Sequence, residues 1–143
     1  MRSFLLSIMF IVFTINIVIG QEINKETLVG EWTVIHVITS SNNLTKEEKQ
    51  FFETIKKGFI NSKFNFKPNG KFFLELKKGI PDFMKQFAIM NNKDWKFNER
   101  EKLISIGTRS DNYNHMRIYV RKQEGRIYFV FNDTPLILEM RKK

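Results

Sequence analysis

His36 and His115 are the only two side chains in this 143-residue sequence whose ordinary pKa lies near neutrality. They fall in separate strand-like segments. The sequence holds no cysteine, so a thiol nucleophile and a thiolate metal ligand are both absent. Ser40 and Ser41 lie close to His36 in the chain, yet no glycine-rich elbow presents either hydroxyl for acyl transfer. The carboxylates sit mostly in turns or along one helical segment, beside lysines. A glycosidase would need two of them facing each other across a cleft, an arrangement that sequence does not reveal. Two histidines without a neighbouring ligand-spaced Asp cluster do not make a closed metal site. The expectation is therefore a protein without catalysis, without cofactor and without metal.

His36 shares a period-two face with Trp32, Val34 and Ile38. It is expected as an interior or cavity-wall polar group able to donate to a ligand. The phenylalanines carry more information: there are 15, many at alternating strand positions. Two readings fit them. They fill a solid core, or they line a small apolar cavity of the kind an eight-stranded barrel is just wide enough to keep. On the second reading the ligand-contacting side chains are His36, Phe64, Phe66, Phe72, Leu74, Ile118 and Phe129. Tyr119 and the basic surface also match base stacking, but clustered Phe at inward positions points to core or cavity.

The elements that must position these residues are short. Trp32 to Thr39 is dense in β-branched residues and predicts a strand. Thr45-Lys46-Glu47-Glu48 has capping-box spacing, and Phe51, Phe52, Ile55 and Phe59 follow at three- and four-residue steps. That predicts an amphipathic helix from Lys46 to Phe59, placed over one mouth of a sheet structure. Phe64 and Phe66, then Phe72, Leu74 and Leu76, alternate on either side of Pro68-Asn69-Gly70 and predict a hairpin. Asp82 to Asn92 has helical spacing and predicts a helical turn. Strands are predicted at 94–97, 102–107, 115–121, 126–131 and 136–141, giving eight in all.

Residues 1–20 read differently. Arg2 is their only charge, Phe4 to Ile19 is almost unbroken apolar sequence, and Val18 and Gly20 place small residues before Gln21. This is the pattern of a secretory signal peptide, with an uncleaved membrane anchor as the alternative. No cysteine stands near the cut, which excludes a lipid-modified cysteine anchor. Removing the twenty residues from the 143 leaves 123, one domain over 21–143, and losing Arg2 takes the net charge from +9 to +8. An exported chain without cysteine fits a bacterial periplasmic or secreted protein. The positive charge either keeps the surface soluble, as lysines on strand edges do, or attracts an anionic membrane or polysaccharide weakly. A monomer with no nucleic-acid partner is expected, its ligand a small hydrophobic molecule.

Thr27-Leu28-Val29-Gly30-Glu31-Trp32 resembles the Gly-x-Trp signature that begins the first strand of lipocalins, and Arg141 sits where that family places an arginine over the tryptophan. The helix after the first strand, the segment Phe64-x-Phe66-x-x-Asn69-Gly70-x-Phe72, Trp95, and the closing run from Leu136 to Arg141 are similar to short bacterial lipocalin-like domains. The resemblance spans residues 27–143. It implies a mainly β fold: an eight-stranded antiparallel up-and-down barrel of calycin type, with one amphipathic helix after the first strand. Gly30, Trp32 and Arg141 would then form the closure, the arginine stacked on the indole, and an apolar or amphipathic ligand would sit in the opposite, open mouth near the helix. The chain departs from the family in its short length, its lack of a disulfide and its extra helix. A filled barrel that binds an anionic surface or a protein partner with its basic face is the second reading, and an enzyme of unknown class the third.

Overall fold

The computed structural model describes residues 22–143. The expected signal peptide therefore lies outside the described residues. The rest is a closed barrel of eight antiparallel strands joined in chain order: β1 (Gly30–Thr39), β2 (Lys63–Phe66), β3 (Lys71–Glu75), β4 (Lys93–Asn98), β5 (Leu103–Gly107), β6 (Met116–Gln123), β7 (Arg126–Phe131) and β8 (Leu136–Lys142). The last strand pairs with the first, from Trp32 opposite Lys142 to Thr39 opposite Leu136. Closure satisfies the two sheet edges that an open sheet would leave exposed.

Two ends follow from this order. One gathers the start of β1, the end of β8, the β2–β3, β4–β5 and β6–β7 turns, and the short helix α1 (Lys25–Leu28). Asn24 caps α1: its side-chain oxygen accepts from Thr27 N at 2.8 Å while Thr27 Oγ1 accepts from Asn24 N at 2.9 Å. The Trp32 indole then donates to Leu28 O at 2.8 Å, and Lys102 Nζ donates to Ile23 O at 2.8 Å. These bonds hold the N-terminal segment across the barrel end. Gly30 sits at φ +129°, and a Cβ there would lie 3.1 Å from the Lys142 stem, so a glycine is needed where the chain enters the barrel. In the β2–β3 turn Gly70 takes φ +84°, the left-handed position that the Asn-Gly pattern anticipates.

The opposite end is plugged. Helix α2 (Lys46–Phe59) begins at the expected capping box, with Thr45 and Glu48 exchanging side-chain and backbone bonds. Its stripe grades inward: Phe51 is 52 % exposed, Phe52 and Ile55 half-buried, and Phe59 fully buried. A 3₁₀ helix (Asp82–Met90), where a helical turn was expected, lies beside it. Met84 packs onto Gly58 so closely that a Cβ at Gly58 would collide with its sulfur. This segment also repairs a short seam. β3 and β4 pair only at Lys71–Asp94 and Phe72–Lys93, and beyond that the Asn91 side chain accepts from Leu74 N at 2.7 Å.

An unbroken aromatic column runs between the two ends. Trp32 meets Phe129 at 5.8 Å between ring centroids, Phe129 meets Phe64 at 5.9 Å, Phe64 meets Phe59 at 6.4 Å and Phe59 meets Phe87 at 5.4 Å. Phe66 joins from the side, 5.1 Å from both Phe72 and Trp95. Tilted and edge-on rings at such spacings fill volume efficiently and attract through their quadrupoles.

Candidate functional site

The side chains expected to contact a ligand inside the barrel are spent on packing one another. Phe64, Phe66, Phe72, Ile118 and Phe129 are fully buried and Leu74 nearly so. The cavities described on the molecule have volumes of 610, 280, 240 and 470 Å³, and none is lined by Phe64, Phe66, Phe72, Ile118 or Phe129. Of the expected set only Leu74 and His36 reach one, and they reach different ones. The mouth near α2, where the ligand was expected, is occupied by Phe59, Met84, Phe87 and Met90.

His36 is placed on the outside, with its side chain 67 % exposed, so its expected inward position is corrected. The cause is a β-bulge. Val34 faces Met140, but His36 rather than Ile35 faces Glu139, leaving Ile35 as the extra residue. A bulge shifts every later side chain to the other face of the strand. Val37 therefore turns inward and Ile38, expected on the inner face, is 43 % exposed. The closure is corrected too. Arg141 is exposed, and Lys142 is the cation near Trp32, with Nζ 5.8 Å from the indole centroid and donating to Thr27 O at 2.8 Å. In the β1–β8 register Lys142 stands opposite Trp32 while Arg141 stands opposite Thr33.

The bulge sits in the wall of the 610 Å³ cavity. Glu139 forms part of that wall and is the one charged residue buried among the described residues, at 6 % exposure. Its Oε2 lies 2.8 Å from His36 Nδ1, and its Oε1 lies 3.8 Å from Arg126. A buried carboxylate is costly unless partnered, and here the bulge delivers the closest partner. Arg126, Arg141, Lys122 and Lys142 stand around the same space, four cations to one carboxylate. Arg141 has no ion pair among the described residues. The remaining wall is apolar: Ile23, Trp32, Ile35, Ile127 and Met140. Nothing in this set pairs a nucleophile with a base. It is chemistry for holding an anion, and no group of three or more metal-binding side chains occurs among the described residues.

Glu139, Arg126 and Lys122 escaped the sequence-based expectation. The one available signal was an acidic residue inside the apolar run Leu136-Ile137-Leu138-Glu139-Met140.

His115 belongs elsewhere, in the β5–β6 loop at the plugged end. Its Nε2 is 2.9 Å from Asp111 Oδ2, while Asp111 Oδ1 accepts from Thr108 N at 3.0 Å and Asn114 N at 3.2 Å. Partial burial works to raise the Asp111 pKa, but the bonds from Thr108 and Asn114 and the nearby His115 outweigh it and hold the carboxyl below 3.8. A depressed folded-state pKa gives stability that is complete above the unfolded value and is lost as pH falls through the folded value. The melting-temperature gap between wild type and Asp111→Asn is therefore expected to shrink as the pH falls below ~4. A gap that does not change between pH 5 and pH 3 would contradict it.

No protein-family model matches this chain, and neither a curated protein nor a solved structure matches it.

Proposed function

We propose that this protein is a non-catalytic binding module whose ligand is anionic and is held outside the barrel, at the end built by β1, β7 and β8. The supporting observation is the contrast between a barrel axis filled by packed rings and a cationic cavity of 610 Å³ at that end. This shares the filled barrel of the second reading drawn from the sequence, and puts a small anion in place of the anionic surface or protein partner of that reading. The lipocalin-like kinship belongs to the proposal as well, supported by Gly30-Glu31-Trp32 at the barrel entrance and by the chain-order strand pairing. So does export, supported by the pattern of residues 1–20.

Amide chemical shifts during a pyrophosphate titration test the reading. Saturable shifts are expected at Ile35, His36, Arg126 and Arg141, lost in the Arg126→Ser/Arg141→Ser double variant and weakened by salt. Nile red, an uncharged apolar probe, is expected not to bind the folded protein. Stoichiometric Nile red binding, or pyrophosphate shifts that survive the double variant unchanged, would overturn the proposal.

A further inference from the structure

The walls of this cavity specify more than charge. On one side lie Arg126 and Arg141, whose planar guanidiniums suit the paired oxygens of a carboxylate or phosphate. The same lining includes the half-buried Ile35 and Ile127, whereas Ile23, Trp32 and Met140 border it only as core side chains no more than 8 % exposed. A bare polyanion would leave Ile35 and Ile127 wet, and an uncharged oil would leave the charge of Arg141 unmatched. The volume, 610 Å³, is in the range of a site for a small molecule.

We infer that the cavity binds an amphipathic oxyanion: a carboxylate or phosphate head between Arg126 and Arg141, with an alkyl chain laid along Ile35 and Ile127. The inference rests on the anion-binding reading and adds the chemical class of the ligand. Glu139 does not forbid the head group, because its two oxygens are turned to His36 and Arg126. It has a positioning role instead: its Oε1, 3.8 Å from Arg126, attracts that guanidinium toward the site. The bulge at Ile35 serves both halves, bringing His36 to Glu139 and setting Ile35 into the apolar wall. Bulges that re-aim side chains beside binding sites are a known use of this irregularity.

Calorimetric titration of the folded protein with methyl, butyl and octyl phosphate, all below their micelle concentrations, tests the inference. Each methylene that reaches the apolar wall is expected to tighten binding about fourfold. Octyl phosphate should therefore bind at least about 50-fold tighter than methyl phosphate. Octanoate in place of octyl phosphate distinguishes a carboxylate head from a phosphate head, and saturable binding of either supports the site. Arg126→Ser/Arg141→Ser is expected to weaken octyl phosphate at least about tenfold. Both arginines are exposed, and an unchanged melting temperature will confirm that the variant is folded.

Equal affinity for methyl and octyl phosphate would overturn the inference while leaving anion binding intact. Octyl phosphate binding untouched by the double variant would overturn it too, by placing the ligand elsewhere. Octyltrimethylammonium binding more tightly than either anion would show that Glu139, and not the arginines, dominates the site. If neither pyrophosphate nor octyl phosphate binds, both proposals fall.

Discussion

Phe64→Ala is expected to lower the unfolding free energy by about 3–5 kcal/mol, read as a fall in the urea midpoint at unchanged slope. Phe64 is fully buried and touches four other rings: Phe59 at 6.4 Å, Phe72 at 5.9 Å, Phe129 at 5.9 Å and Phe131 at 6.4 Å. In a filled barrel its removal costs both the transfer energy of the ring and the contacts its neighbours lose around the void. In a hollow barrel the same ring would already face empty space on one side, and its loss would cost about half as much or less. The void left by Phe64→Ala should also stay dry and bind benzene, as apolar cavities of this kind do, whereas the wild type should not. A loss under about 1.5 kcal/mol, or benzene binding by the wild type, would show that the interior was not full.

The second large effect is at the barrel entrance. Trp32→Ala is expected to cost a similar ~3–5 kcal/mol, since Trp32 is 5 % exposed and packs on Phe129. Trp32→Phe keeps most of that packing but removes the indole N–H that donates to Leu28 O. It should cost about 1–2 kcal/mol, the loss of a bond to a buried carbonyl, and should release α1 to faster amide exchange. The neighbouring cations sharpen the test. Lys142→Ala should destabilise, because Lys142 bonds Thr27 O and lies near the indole. Arg141→Ala should stay within about 0.5 kcal/mol of wild type, as an exposed side chain without such contacts does. Arg141→Ala costing as much as Trp32→Phe would restore the arginine as the closing residue.

Where side chains alternate by polarity or a turn demands a particular residue, the chain could be read directly. Met116, Ile118 and Val120 face inward in β6 as their spacing requires, Asn69-Gly70 turns the β2–β3 hairpin, and Thr45 with Glu48 starts α2. β1 could not be read this way. Val34, Ile35, Val37 and Ile38 are apolar on both faces, so nothing in their pattern marks the extra residue, and a period-two count carried His36 to the wrong side. The 3₁₀ segment from Asp82 was ambiguous because nine residues suffice for either helix type. The cavity was the least legible feature. Its residues come from the N-terminal segment, β1, the β6–β7 hairpin and β8, and only the fold brings them together. Each of its cations, taken alone, is an ordinary Lys or Arg. The alternation of the interior phenylalanines marks them as inward-facing, but whether inward means cavity or core depends on ring-to-ring distances that sequence does not contain.

The most direct test is the location of octyl phosphate on the folded protein, followed by amide and aromatic chemical shifts in one titration. The expected result is a contiguous set of shifts at Ile35, His36, Arg126, Ile127 and Glu139 to Lys142, with the rings of Phe64, Phe66, Phe72 and Phe129 unmoved. Shifts centred on those four rings would place the ligand inside the barrel and contradict the filled interior.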